Sequence, residues 1–483
     1  MKPMSTQSLP KVSVIIPAYN QADYLAAAIE SVLHQRYADW ELIVVNDASP
    51  DQTNAIVAQY IDNDPRIRLI VHEQNRGLPA ARNTGLRAAQ GEIFMLLDAD
   101  DLFHVDKLAA HVALLDADPT IGVSYNARYE INQGGEILTL WRPVTTATFA
   151  DMVCGFPFAP SDMVIRREWA FRVNLFDESY VAMSEDLDIN CRLGLAGCRF
   201  VGIDQPLNYR RYYPNRVIRN VPARLSAAER ALNRLFSDPT CPAEILALRN
   251  QAFANTYLVW SYEGFIAGLP QQAQAALCKA VALNPALMAD NAAPFLEYLV
   301  DRSIQDGGDH ALAIRRVMEQ LPPEWRWVAK ATPWTIGQAD LRAGLRDCLW
   351  GRTAQGQMHL MRAAAQEMRV QPALLRLLVD QLVNYSMEGG FDGAKRVIRD
   401  VTRAMRVVAS PAEIRWLEGC YWLNQAFTQV KAGAYHHARQ SIFQAFLKDP
   451  GYLRNRGAWA TLVRSCLSPF PTLQKFALTL AAR

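Results

Sequence analysis

The eight cysteines of this 483-residue sequence stand singly, with no C-x-x-C pair and no spacing that suits zinc. They read as buried thiols of a reducing compartment, not as a disulfide frame. With 50 basic against 48 acidic residues the formal charge is only +2, so no global pull toward nucleic acid is expected and charge effects must be local. No stretch approaches the ~18 consecutive apolar residues of a membrane span. The opening "MKPMSTQSLP" lacks the apolar region of a secretory leader, and residues 1–10 read as a flexible start. The expectation is a cytoplasmic chain, at most peripheral at the inner face of a membrane. No G-x-G-x-x-G follows the first strand-like run and no G-x-x-x-x-G-K-[ST] occurs anywhere, which removes the usual dinucleotide and P-loop signatures.

What is present is a core supply and a pattern. Half of the residues are apolar, ample for two or more domains at this length. Short runs rich in Val, Ile and Leu, "VSVIIP" (12–17), "ELIVVND" (41–47), "IRLIVHE" (67–73) and "EIFMLLD" (92–98), alternate with "ADYLAAAIESVLHQ", "DQTNAIVAQYI" and "LPAARNTGLRAAQ". The runs are too short for globular helices, and the intervening stretches place apolar residues three or four apart. This predicts βαβαβαβ, an α/β domain with a mainly parallel sheet. Ligands of such sheets bind beyond the carboxyl ends of the strands, and here those ends are polar: "PAYNQ", "NDASPDQT", "EQNRGLPAARNTG" and the acidic "DADD".

Asp98, Asp100 and Asp101 lie too close together to be there for stability alone, because like charges repel unless something positive sits among them. Oxygen ligands at a strand end suit a hard divalent cation. For Asp101 the competing reading is a cap for the helix expected in "LFHVDKLAAHVALL".

The motifs "VSVIIPAYN", "VVNDASPDQT", "NRGLPAARNTG", "LLDADD", "FDESYVAMSEDLDINCRLGLAGCRF" and "PLNYRRY" together resemble, in order and spacing, the inverting family 2 glycosyltransferases of the GT-A fold. The resemblance covers roughly residues 10 to 215. It implies a nucleotide-diphosphate sugar donor, UDP-linked above all, and Mn²⁺ or Mg²⁺ as cofactor. Asp98 and Asp100 match the family's D-x-D pair, Asp100 as metal ligand and Asp98 on the ribose and the metal. Asp47 matches the carboxylate that accepts the N3–H of the base, with Pro17, Ala18 and Tyr19 lining it. Asp47 in "NDASPDQT" also sits where a helix cap would, although Ser49 with Pro50 could fill that role. Arg76 and Arg82 match residues facing the diphosphate or base, with Gly77 keeping the backbone close; a structural ion pair is the even alternative for Arg82. The E-D pair Glu185–Asp186 stands about 85 residues after D-x-D. It matches the family's base, Asp186, with Glu185 beside it, and capping of the next helix is the bland alternative. Many relatives carry a His where Tyr212 stands here, which leaves a metal ion one ligand poorer. Arg210, Arg211, Arg216, Arg219 and Arg224 follow without an acid among them, facing either a phosphate group or solvent.

Past about residue 225 the strands give way to helical periodicity. The expected boundaries are a GT-A domain at 11–222 and an all-α domain at 223–483. Gly268, Ala273, Ala280 and Pro285 recur in the same frame as Gly433, Ala438, Ala445 and Pro450, a spacing that resembles tetratricopeptide repeats; a generic helical array would want the same small residues. "YSMEGGFDGAKRVIRDVTRA" is a weaker third match. Two functional classes fit. One is an active glycosyltransferase whose acceptor is a glycan, a lipid-linked saccharide or a protein, with the helical domain contacting acceptor or partner protein. The other is a lapsed GT-A scaffold that assembles proteins through its repeats. A sugar nucleotidyltransferase would want a glycine-rich signature after the first strand, which "PAYNQ" is not.

Overall fold

The computed structural model describes residues 9–155, 158–180, 184–212, 220–305 and 308–466, without side-chain detail at 380, 381 and 383–394. Residues 1–8 of the expected flexible start, and Arg216 and Arg219, lie outside the described residues.

The four expected strands form, as β1 (Val12–Ala18), β2 (Trp40–Asn46), β3 (Ile67–Val71) and β4 (Ile93–Leu96), all parallel in the order β3-β2-β1-β4. Every residue of β1 and β2 is buried, which is why they read as unbroken apolar runs. Alternate residues serve opposite faces. Val12, Val14 and Ile16 join Leu25, Ala28 and Ile29 of helix α1 (Ala22–Leu33), whereas Ile15, Ile43 and Val45 join Ala81 and Leu86 of α3 (Leu78–Ala88). Helix α2 (Thr53–Ile61) adds Val57 to the first face. On the other face α3 lies very close to the sheet at Gly85, where a β-carbon would stand 2.4 Å from Ile15 Cγ2.

Beyond β4 the sheet departs from the mainly parallel expectation. It is mixed, with nine strands in which β4 continues to β8 (Val164–Arg166), β6 (Ile121–Ile131), β9 (Arg199–Arg211) and β5 (Leu102–Phe103), while β7 (Ile137–Trp141) pairs β6. Only β6–β9 is parallel in this half. Strand β6 alternates apolar residues with Ser124, Asn126, Arg128 and Glu130, yet is buried throughout. Its polar row is satisfied from α4 (Lys107–Ala117), where the Lys107 ammonium and His111 Nε2 both reach Asn126 Oδ1, and from Asp162, which pairs with Arg128 at 2.5 Å. Helices α5 (Phe149–Gly155), α6 (Arg167–Arg172) and α7 (Glu185–Leu195) complete this part.

The chain divides into two compact units, residues 1–295 with 319–326, and 296–318 with 327–483. The change of composition near residue 222 is therefore a change of secondary structure inside the first unit. Helices α8 (Val221–Phe236), α9 (Ala243–Leu246), α10 (Arg249–Ile266) and α11 (Pro270–Leu283) belong to it. Arg234 of α8 binds Asp177 at 3.0 Å and Asp188 at 3.1 Å, Arg230 stacks on Tyr180, and Asn255 of α10 donates to the Cys154 carbonyl. Limited proteolysis should accordingly leave a stable fragment that keeps α8–α11. A fragment ending near residue 222 that survives alone would contradict this packing.

The second unit is all helical, with the end of α12 (Ala289–Gln305), then α13 (His310–Glu319), α14 (Thr332–Leu349), α15 (Thr353–Ala365), α16 (Pro372–Met405), α17 (Pro411–Lys431), α18 (Tyr435–Lys448) and α19 (Arg456–Cys466). Three helix hairpins among the described residues, α10–α11, α14–α15 and α17–α18, turn alike. Gly268, Gly351 and Gly433 take φ of 75, 76 and 75°. The next amide in each bonds back five residues, Leu269 to Gly264, Arg352 to Asp347 and Ala434 to Gln429; these are Schellman caps. Five and twelve residues beyond each glycine lie Ala273 and Ala280, Gly356 and Ala363, Ala438 and Ala445, all buried. The middle hairpin was hidden from the sequence by Gly356 in place of alanine and Met368 in place of proline. The expected weak match at 385–404 is part of one continuous helix, α16. No helix among the described residues is long and apolar enough to cross a membrane.

Candidate functional site

The loops after β1 and β2 are tied together. The Asp47 amide donates to the Ala18 carbonyl, Asn20 N to Ser49 Oγ, and Ala22 N to Asp51. Pro17 and Ala18 end β1 buried and Tyr19 follows, 49% exposed. Asp51, not Ser49, Pro50 or Asp47, serves the start of α2, accepting from the Thr53 amide and hydroxyl. Asp47 instead binds the loop after β3: Oδ1 accepts from Arg76 N at 2.8 Å and lies 2.6 Å from His72 Nδ1, and Oδ2 accepts from Gly77 N at 2.8 Å. Gly77, at φ +89°, takes a conformation that a side chain would strain. Arg76 reaches outward to Glu178 at 3.1 Å.

At the end of β4 the three aspartates divide their work. Asp101 does not cap α4, whose preceding residue is Asp106. Its carboxylate accepts from Ser161 Oγ at 2.7 Å and Arg211 N at 2.9 Å, tying the end of β9 to this loop. Asp100 is buried, and its carbonyl accepts from Arg211 Nε at 3.1 Å. Asp98 accepts from Arg82 at 2.8 Å.

Arg82 is the join. Only 1% exposed, it projects from α3 and bonds Asp98 with one terminal nitrogen and Glu185 with the other at 2.5 Å, an ion pair of the kind that is one of its two expected roles. Burial works against its charge, but Asp98 and Glu185 outweigh that and hold it protonated. Glu185 and Asp186 open α7 behind Ser184, which has φ +73° and no side-chain cap bond. Burial lifts Glu185 to about 7, against the pull of Arg82 and with help from Asp186. Burial also raises Asp186, opposed by bonds from backbone amides. The two carboxylates differ in use. Glu185 is buried and held by Arg82, whereas Asp186 is partly exposed and accepts from the Leu187 amide at 2.8 Å. No side chain among the described residues hydrogen-bonds to Asp186. The amide contact, in the first turn of α7, corresponds to the capping expected as its bland role.

Tyr212, at the position where the family resemblance implies a His, donates its amide to the Ile131 carbonyl at the end of β9. Arg210 lies 3.5 Å from Glu130, and Arg211 stacks on Tyr24 and braces the aspartate loop, so neither stands in an acid-free cluster. Sequence reasoning missed His72, Ser161 and Glu178. His72 stood in the quoted strand end; Ser161 acts on residues about 60 positions away and Glu178 on residues more than 90 away, which no local pattern announces.

Residues 13–174 match the sequence family described as Glycosyl transferase family 2. The chain is 46% identical over 99 residues to the Putative teichuronic acid biosynthesis glycosyltransferase TuaG of Bacillus subtilis, covering 20% of this chain and 39% of that protein. Over 104 residues it is 40% identical to the UDP-Glc:alpha-D-GlcNAc-diphosphoundecaprenol beta-1,3-glucosyltransferase WfgD of Escherichia coli, covering 22% and 40%. The chain thus spans two-fifths or less of these relatives' length. Among solved structures, the mannosyltransferase PcManGT of Pyrobaculum calidifontis, in complex with GDP-Man and Mn2+, aligns at 22% identity over 70% of this chain and 88% of that one, with a TM-score of 0.43. The family match ends short of Glu185 and Asp186 but takes in β1 to β4, Asp47, Arg82 and the aspartate loop, so residues 13–174, the greater part of the mixed-sheet region, are similar to the family 2 glycosyltransferases.

Proposed function

We propose that the chain transfers a sugar from a nucleotide-diphosphate donor to an acceptor hydroxyl by a single inverting displacement. The observation that carries this is the Arg82 bridge: one buried cation fixes the D-x-D aspartate Asp98 and the E-D glutamate Glu185 in one site, with Asp186 beside them. That proximity of the two motifs supports a single site for donor and acceptor. Asp186 takes the acceptor's proton as that oxygen bonds to the anomeric carbon, and the bond to the diphosphate breaks with its electron pair going to phosphate. A carboxylate whose proton affinity is raised by burial is a stronger base than an ordinary aspartate. Glu185, spent on Arg82, positions and does not abstract.

The strand-end donors are carboxylates, the hard oxygen ligands that Mn²⁺ or Mg²⁺ prefers, and Tyr212 adds no imidazole, so the set fits such an ion with Asp100 and Asp98 as its protein ligands. When bound, the ion would neutralise charge on the departing diphosphate. Asp47, already committed to the Arg76–Gly77 backbone, keeps one acceptor position for the N3–H of a base, and Tyr19 is exposed to stack on it. The name of the Escherichia coli relative, which specifies UDP-glucose and a diphospholipid-linked acceptor, favours UDP among donors and a lipid-linked saccharide among acceptors, in the making of a cell-surface polysaccharide.

Release of nucleotide from UDP-, dTDP- and GDP-sugars tests the reading, which fails if none is turned over and calorimetry finds no nucleotide bound. In the same measurement Mn²⁺ should tighten UDP binding to the wild type. Asp100→Ala should erase the difference between metal and chelator while leaving the melting temperature within a few degrees. Equal affinity with and without metal in the wild type removes the metal role.

A further inference from the structure

The second unit carries a polar cluster that sugar transfer does not use. His310 opens α13, Asp340 lies in α14 and His359 in α15. Asp340 Oδ1 is 3.1 Å from His310 Nε2 and 2.8 Å from His359 Nδ1, and the three ligand atoms all fall within 4.8 Å of one another. A zinc ion bound at about 2.0–2.1 Å to each of its ligands in tetrahedral geometry holds them roughly 3.3 Å apart. The carboxylate–imidazole spacings are already near that value. Close packing of the helices brings this about: Gly344, between the two acids of α14, would place a β-carbon 2.8 Å from Leu360 and 3.0 Å from the Gly356 carbonyl of α15.

Two further observations point to a ligand. Asp340 is almost fully buried, and its ion-pair partners among the described residues are these two imidazoles, which compensate a carboxylate only if protonated. Seven residues on, on the same face of α14, Asp347 is fully buried; Arg352 holds its Oδ1 at 2.6 Å, while Oδ2 is buried with no hydrogen-bond partner. That orphan oxygen lies 3.8 Å from His359 Nε2. A metal-bound histidine almost always donates its other ring N–H to a carboxylate or carbonyl. With a metal on Nδ1, the Nε2 proton of His359 points at the oxygen that lacks a donor.

The geometry points to a zinc-type divalent metal site made by His310, Asp340 and His359, with Asp347 as outer partner and a fourth position opening into a cavity of about 500 Å³ lined by Gln355, Met358 and Arg362. Two neutral imidazoles and one carboxylate suit a borderline ion such as Zn²⁺ better than the hard Mg²⁺ or Mn²⁺ of the donor site. Binding ties α13, α14 and α15 together. It requires that the two ligating ring nitrogens carry no proton, which the distal nitrogens can hold instead.

The full chain, stripped with chelator, should bind one equivalent of Co²⁺ with the visible bands of a four- or five-coordinate ion, and Zn²⁺ should displace it. Asp100→Ala should leave that equivalent untouched, which separates this site from the donor site. His359→Gln should weaken it by at least the roughly 10- to 100-fold that loss of an outer partner alone costs, with an unchanged far-ultraviolet dichroism spectrum. His310→Gln, at the neighbouring helix start, provides the second variant, and Zn²⁺ should raise the melting temperature of the wild type and of neither variant. Absence of Co²⁺ binding in the wild type overturns the site. So does binding that both variants retain in full, which places the ion elsewhere, for instance at the His436–His437 pair of α18.

Discussion

Asp186→Asn is expected to bind donor like the wild type and to transfer sugar at least about a hundredfold more slowly, since loss of a general base typically costs 10²- to 10⁴-fold. Asparagine keeps an oxygen that can accept from the Leu187 amide, so stability should change by no more than about 1 kcal/mol. A purely capping role predicts the reverse, a lower melting temperature with turnover per folded molecule nearly intact. The pH profile gives a second readout. Asp186 works deprotonated, and burial raises its pKa from 3.8, so kcat/KM should fall on acidification at a higher pH than for an ordinary aspartate. Because Glu185 is its neighbour and rises to about 7, the limb belongs to the pair. Glu185→Gln should therefore move that limb and lower stability through Arg82, whereas Asp186→Asn abolishes the rate. If Asp186→Asn keeps most of the rate and Glu185→Gln loses it, the base is Glu185; if neither loses it, the displacement mechanism proposed here goes.

What the sequence made legible follows from how the information is stored. Strands β1 to β4 and helices α1 to α3 stood out because each is local, with unbroken Val, Ile and Leu runs for strands buried on both faces and threefold or fourfold spacing for the helices. The other half of the sheet was harder to read. The alternating Ser124, Asn126, Arg128 and Glu130 suggest a strand with one wet face, and the face is dry only because Lys107, His111 and Asp162 meet it from elsewhere. The antiparallel pairings of β8 and β5, three and two residues long, leave no periodic signal at all. The candidate site divides in the same way. Residue types and order singled out Asp98, Asp100, Glu185 and Asp186, but not that Arg82, 103 positions from Glu185, binds the two motifs to each other. Nor did they reveal that Asp47 is largely occupied by Arg76 and Gly77.

Arg82→Met should be the most destabilising of the site substitutions above neutral pH, because removing one partner from a buried ion pair leaves charge without compensation. Methionine nearly fills the space, so the loss is electrostatic and not a cavity effect. Glu185 is 4% exposed and Asp98 19% in their side chains, and the penalty falls mainly on the former. The sign of the pH dependence follows. Glu185 has a folded pKa of about 7 against 4.5 for the free group, so in this window the native state holds its proton more firmly than the unfolded chain. Its contribution to stability is complete below about pH 4.5 and is lost as pH rises through 7. Without Arg82 to pull it down, that pKa climbs further, so the deficit of the variant should grow as pH rises past 7 and shrink toward pH 5. Denaturant titrations at pH 5 and 8 would measure it. Adding Glu185→Gln to Arg82→Met removes the orphaned charge, and the double variant should recover much of the loss, a coupling that neither single change contains. An Arg82 whose business was the diphosphate would behave otherwise: donor affinity would drop, stability would hold at both pH values, and the two substitutions would simply add.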